Sequence, residues 1–190
     1  IPQGLKAGKE VLYFDTAMGE VPEPIWELAN AYPERLGVFT EDLHPTDRTQ
    51  MDDRYGTLRA PVMLVGGLAA TADSFEVLTG MALGLQKKGL QPLVISRQPL
   101  GKLFRFHSLN HIFNSRDGSE ADRILGLNTF LQDLERRYLP DLILMEAPDP
   151  VMRYNNIAPN GFGIRTYMLC QAAPPDYLLC CVPCDLAVGN

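Results

Sequence analysis

The sequence has no apolar run approaching the roughly 20 residues that cross a bilayer as a helix, so it contains no membrane-spanning helix. It has no excess of basic residues either. With 17 Lys+Arg against 23 Asp+Glu its formal net charge is −6, which argues against a nucleic-acid partner held through its phosphates. Cysteine is missing from most of the chain: Cys170, Cys180, Cys181 and Cys184 all fall within the last 21 residues. A secreted disulfide framework spreads its staples over distant loops, so the distribution gives the expectation of a cytoplasmic protein. There is no initiator Met and no apolar leader behind Ile1-Pro2-Gln3-Gly4, and the sequence stops just behind a strand-like segment. We expect no signal peptide and a piece of a longer chain. Internal repeats and low-complexity tracts are also lacking.

What is present suits a packed globular domain: 46% hydrophobic and 21% charged residues, enough apolar material for a core. Val11 to Asp15 reads as a short strand, Glu23 to Tyr32 as a helix and Leu36 to Phe39 as a second strand. From Thr40 to Arg59 the chain turns polar and offers little to bury, which predicts a loop or linker. Pro61 to Gly66 is a continuous apolar run bounded by Pro and Gly, the pattern of a strand buried on both faces. Phe75, Leu78, Ala82 and Leu85 recur at helical spacing between Ser74 and Lys88, and Gly89 ends that helix.

Gln91 to Ser96 is the next strand, followed by a long helix from Ser119 to Tyr138. Ser119 is its cap, Glu120 and Asp122 lie in its first turn, and Arg136-Arg137 lie in its last. Asp141 to Met145 is a strand, Ile164 to Ala173 a helix, and Asp176 to Val182 a last strand. Alternating strands and helices predict a three-layer α/β/α fold with a mostly parallel sheet. Two parts are expected. One is an N-terminal strand–helix–strand segment with its polar linker over 1–60, and the other is an α/β domain over 61–190. A single continuous domain, truncated at its C-terminus, is the alternative.

Ligands of such sheets bind beyond the carboxyl ends of the strands. Laid over the phosphate-loop pattern G-x-x-x-x-G-K-[ST], the chain reads Gly67-Leu68-Ala69-Ala70-Thr71-Ala72-Asp73-Ser74. The opening Gly and the Ser are present, the second Gly is Ala72, and the Lys is Asp73. Such a loop wraps backbone N–H groups around an anion at a helix N-terminus, and Asp73 would repel a triphosphate. An ordinary strand–turn–helix connection capped by Asp73 or Ser74 is the plainer reading. The run Leu142 to Met145 ends in Glu146, the form in which a strand presents a carboxylate to nucleotide-bound Mg²⁺. A buried strand with an acid at its open end is the plainer reading there.

Three other segments carry candidate chemistry. His107 and His111, spaced i, i+4 in Phe104-Arg105-Phe106-His107-Ser108-Leu109-Asn110-His111, would share a helical face and could contact a phosphate or a metal. Packing histidines among aromatic anchors are the alternative, and Arg97 and Arg105 flank the same edge. The loop around Asn155 and Asn156 is rich in amides, which suit a neutral polar ligand or a base edge and equally suit tight turns. Cys181-Val182-Pro183-Cys184 has C-x-x-C spacing, usable for dithiol chemistry or as two ligands of a metal site. No second C-x-x-C accompanies it, and Tyr177 to Val182 reads as a buried strand, in which Cys is a small hydrophobe.

The order glycine-ended strand, loop, helix, strand, long helix, strand ending in Glu resembles the P-loop proteins of the dethiobiotin synthetase and MinD-like class. Glu146-Ala147-Pro148-Asp149-Pro150 stands where several of those carry a small-residue turn. More narrowly, Gly66-Gly67 with Ser74-Phe75-Glu76-Val77, Ile95-Ser96-Arg97 with Phe104 to Ser108, and Asn155 to Ile164 resemble the clostridial peptide maturation system proteins. Those are found beside genes for small ribosomally made peptides. The resemblance covers roughly Pro61 to the C-terminus. It implies a nucleotide-binding-like fold and an accessory role in maturing a peptide natural product, with a precursor peptide or a maturation enzyme as partner.

With the phosphate-loop Lys absent, we expect binding ahead of phosphoryl transfer, with ATP or GTP and Mg²⁺ as the nucleotide ligand to test. The expected site comprises Gly66, Gly67, Thr71, Asp73, Ser74, Arg97, His107 and Glu146, with Asn155 and Asn156 from the amide loop. A peptide- or partner-binding module without nucleotide, and a thiol or metal protein using the four cysteines, are the competing expectations.

Overall fold

The computed structural model describes residues 1–14, 21–40, 55–69, 72–114, 118–150 and 163–183. The chain divides into two compact units, Ile1–His44 and Pro45–Asn190.

In the first unit α1 (Pro2–Lys6) leads to β1 (Val11–Phe14), α2 (Glu23–Ala31) and β2 (Leu36–Phe39). Glu23 and Pro24 open α2, an acid at the positive end of the helix and a proline where no N–H is needed. β1 and β2 pair in parallel from Val11↔Leu36 to Phe14↔Phe39. The rings of Phe14 and Phe39 stack at 4.9 Å across that ladder.

The second unit contains β3 (Val62–Gly67), α3 (Ser74–Lys87), β4 (Pro92–Ile95), a 3₁₀ turn (Pro99–Phe104), α4 (Asn110–Phe113), α5 (Glu120–Tyr138), β5 (Leu142–Glu146), α6 (Ile164–Ala172) and β6 (Tyr177–Cys181). Its sheet runs β4-β5-β3-β6, every pairing parallel. Side chains alternate between faces along each strand, and the core divides accordingly. Leu64, Leu93, Ile95, Ile143 and Met145 pack with Leu127, Phe130 and Leu131 of α5 and Leu169 of α6. Val65, Val94 and Leu144 pack on the other face with Leu78 and Ala82 of α3. Helices on both faces make a three-layer α/β/α unit, and that double coverage is why β3, β4 and β5 read as unbroken apolar runs.

β6 is different. Tyr177 and Leu178 are 61% and 68% exposed, so the buried last strand expected from the run Tyr177 to Val182 is corrected. Among the described residues β6 is the edge strand, next to β3, whereas α3 packs over β3, β4 and β5. Of this apolar run Cys181 packs against the α3 side of the core, while Tyr177 and Leu178 stay exposed.

Residues 55–60, the described end of the expected linker, adopt no regular element, yet α5 fixes them. Asn128 Oδ1 accepts from Gly56 N at 2.9 Å, and its Nδ2 donates to Gly56 O at 2.8 Å. Glu135 Oε1 accepts from Arg59 N and Ala60 N, each at 2.7 Å. α5 itself starts with a capping box. Ser119 accepts from Asp122 N, and the Asp122 carboxylate accepts from Ser119 N at 2.7 Å.

Candidate functional site

From β3 the chain crosses to α3 on one face; from β5 it crosses to α6 on the other. β3 and β5 are neighbours, so a crevice opens between their carboxyl ends, where ligands of doubly wound sheets bind. Two glycines shape it. A Cβ on Gly67 would lie 2.9 Å from Ala69 O and 2.9 Å from Ala72 Cβ, so the loop can fold back onto the strand end only over a bare backbone. A Cβ on Gly66 would meet Ala147 Cβ at 3.0 Å.

The crevice forms a cleft of about 330 Å³. Asp73, Ser74 and Glu76 reach it from the start of α3, Arg97 and Gln98 from behind β4, and Glu146 from the end of β5. Glu146 is 5% exposed. Its Oε2 accepts from Ser96 Oγ at 2.5 Å and its Oε1 from Ser74 Oγ at 3.3 Å. Burial pushes its carboxyl above the usual range, against the smaller opposing pull of the two serines and Arg97. Asp73 is the N-cap residue of α3, but its side chain makes no capping bond. An exposed carboxylate therefore stands where a phosphate loop carries its ammonium group.

Arg97 lines the cleft, but its guanidinium is tied to the segment behind β5. Its Nη1 donates to Pro148 O and lies 3.9 Å from Asp149 Oδ1. Asp149 in turn accepts from Arg165 N at 3.0 Å through Oδ2, and its carbonyl accepts from Thr166 Oγ1 at 2.9 Å. Arg97 thus ties the end of β4 to the segment behind β5 and, through Asp149, to the start of α6. Three carboxyl groups and one committed guanidinium leave the cleft acidic. It offers hydroxyls, carboxyls and helix-start amides to a polar ligand, and little to balance a triphosphate. Among the described residues no group of three or more His, Cys, Asp and Glu is placed to hold a metal ion.

The buried carboxyl gives a pH prediction. An acid whose folded pKa is raised contributes stability that is fully present below the usual carboxylate range and lost as pH rises through the raised value. Glu146→Gln is expected to melt within error of the parent at pH 4 and above it at pH 8. A gap that stays constant with pH would show that Glu146 titrates like an exposed acid.

Gly67, Asp73, Ser74, Arg97 and Glu146 therefore share one cleft, with Gly66 directly behind it. Thr71, Asn155, Asn156 and Cys184 lie outside the described residues. His107 is corrected. His107 runs beside β4, its N donating to Val94 O and its O accepting from Ser96 N, each at 2.9 Å. The backbone at His107 is thus extended, α4 begins only at Asn110, and the expected helical face shared with His111 does not form. His107 packs on the Tyr138 ring at 5.0 Å, and His111 packs edge-on to Phe130 at 5.1 Å.

Cys170 packs against the α5/α6 face of the core, and Cys181 against the α3 face. Burial pushes both thiols up, and Cys180 and Asp73 add to the rise at Cys181. That is the reverse of an activated thiolate. Ser96, Glu76 and Asp149 fall in stretches that carry the family resemblances, but the patterns gave them no role in the site. For Ser96 the usable signal was a hydroxyl directly behind an apolar strand.

The second unit is thus a doubly wound α/β domain with a polar cleft at its switch point. No family model matches the chain, and no curated protein matches it. Among solved structures it is similar to a DUF1611 family protein from Anabaena variabilis ATCC 29413, with a TM-score of 0.53 at 12% identity. The match covers 94% of this chain and 47% of that one, so the chain spans about half the length of its structural neighbour. At that identity the likeness concerns the fold.

Proposed function

We propose that this protein binds a small polar ligand in the cleft between β3 and β5 without transferring a phosphoryl group. On this reading the site is a phosphate loop that kept its shape and lost its lysine. The observation that carries the reading is the Ser74–Glu146 contact at 3.3 Å across the switch point. It joins the last residue of the loop pattern to the acid that ends the neighbouring strand. ATP or GTP with Mg²⁺ is the first ligand to try. Helix-start amides would face the phosphates, and Ser74 and Glu146 would lie toward the metal.

The wider role follows the sequence resemblance. We propose a cytoplasmic accessory factor in maturing a ribosomally made peptide, with a precursor peptide or maturation enzyme as partner. A nucleotide-independent peptide-binding role is the second reading, favoured by the acidic lining of the cleft, which suits a basic segment better than a phosphate chain.

Calorimetric titration with ATP and GTP, with and without Mg²⁺, tests the proposal. We expect weak, saturable binding with a Kd of about 1 mM, weakened severalfold by Ser74→Ala, and no phosphate release. Absence of heat at millimolar nucleotide would remove nucleotide as the ligand. Protection of the cleft from hydrogen exchange by precursor peptide alone would then support the second reading.

A further inference from the structure

A second cavity, about 400 Å³, lies beside β4, between the end of α3, residues 104–107 and the end of α5, and shares no lining residue with the cleft. Its lining is aromatic: Phe104 and Phe106 with ring centroids 5.5 Å apart, and His107 against Tyr138 at 5.0 Å. Phe106 is 7% exposed and forms the floor, while Phe104 and Tyr138, at 40% and 47%, open the cavity to solvent.

The lining contains no Asp or Glu, in a chain whose net charge is −6. Asp141, next to the lining residue Pro140, is taken up by Gln91 N at 2.7 Å. Arg105, which also lines the cavity, makes no ion pair with the described residues. It caps the 3₁₀ turn in the left-handed region at φ 60, and Leu139, between the lining residues Tyr138 and Pro140, caps α5 there at φ 45. They are the two non-glycine residues with positive φ among the described residues, and both border this cavity.

We propose that this cavity binds a small planar aromatic carboxylate, its ring against Phe104, Phe106 and Tyr138 and its carboxylate on the Arg105 guanidinium. Aromatic rings offer offset and edge-on packing to a planar ligand. Arginine presents paired N–H donors that match a carboxylate. The volume lies within the range of small-molecule sites, and the positive charge at its rim complements an anion.

The test uses the full chain and two probes of nearly equal shape, indole-3-acetate and its neutral amide, followed by the amide resonances of residues 104–107 and Tyr138. The carboxylate is expected to bind saturably and about tenfold or more tightly than the amide. Arg105→Gly should abolish that preference without lowering the melting temperature, because glycine adopts φ 60 freely. Arg105→Lys should retain part of the preference. Equal affinity for the two probes, no saturable shift by about 10 mM, or an Arg105→Gly variant that binds like the parent would each overturn the proposal. Ser74→Ala leaves this binding unchanged, so the outcome is independent of the cleft.

Discussion

Asp73→Lys is expected to tighten binding of Mg-ATP by about 30–100-fold, an effect of roughly 2–3 kcal/mol. The substitution changes the charge by two units at the start of α3, where a phosphate chain seated on the loop 67–74 would lie. A unit pair at about 4 Å is worth about 4 kcal/mol at an effective dielectric near 20. Asp73 is exposed, so solvent screening removes part of that. Two effects combine, relief of repulsion and gain of an ammonium contact. Asp73→Asn isolates the first and should tighten binding by about fivefold. The loop can accept the change because Gly67 already lets it fold onto the strand end. Titration of the three proteins side by side checks the prediction. A Lys variant that binds no more tightly than the parent would show that the loop does not hold phosphates and that the likeness ends at the backbone. Turnover is a separate matter, since lysine restores a phosphate contact without placing an attacking water.

The elements were legible where both faces of a strand are buried. β3, β4 and β5 announce themselves as unbroken apolar runs because α3 covers one side and α5 and α6 cover the other. The order of the sheet was not legible, since no residue states that β5 lies between β3 and β4. That order creates the switch point, so the cleft could be expected at strand ends without its partners being known. Asp73, Ser74 and Glu146 were found by pattern. Ser96 was not, because a serine behind a strand is common and its contact at 2.5 Å with Glu146 depends on the two strand ends lining one cleft. His107 failed for a related reason. The i, i+4 spacing assumed a helix, and the 3₁₀ turn Pro99–Phe104, ending in left-handed Arg105, returns the chain to the edge of β4 as extended backbone.

The polar stretch before β3 shows the same limit from the side of stability, and there the largest loss is expected. Asn128→Ala should destabilise the second unit by about 3 kcal/mol. Asn128 is 1% exposed in the middle of α5. Its amide bonds both backbone groups of Gly56, donates to Ala172 O at 2.7 Å and accepts from Gln132 Nε2 at 2.6 Å. Truncation leaves three backbone groups without this partner. Each buried orphan costs about 1–3 kcal/mol, while Gly56 is only half-buried and recovers some of its loss in water. Gln132→Ala, which removes only a neighbouring bond, should cost under about 1 kcal/mol.

Fluorescence would report on the wrong part of the chain, because the single tryptophan, Trp26, belongs to the first unit. Hydrogen exchange of the β5 amides in increasing urea reads the second unit directly. A loss below about 1 kcal/mol for Asn128→Ala would mean that residues 55–60 are held by Leu58 and Ala60 packing on the core, and that the asparagine only accompanies them. The expected larger loss makes Asn128 a tie between α5, α6 and the chain entering β3. Gly67 and the cleft lie at the far end of that strand, so a polar side chain outside the cleft would help hold the element that forms it.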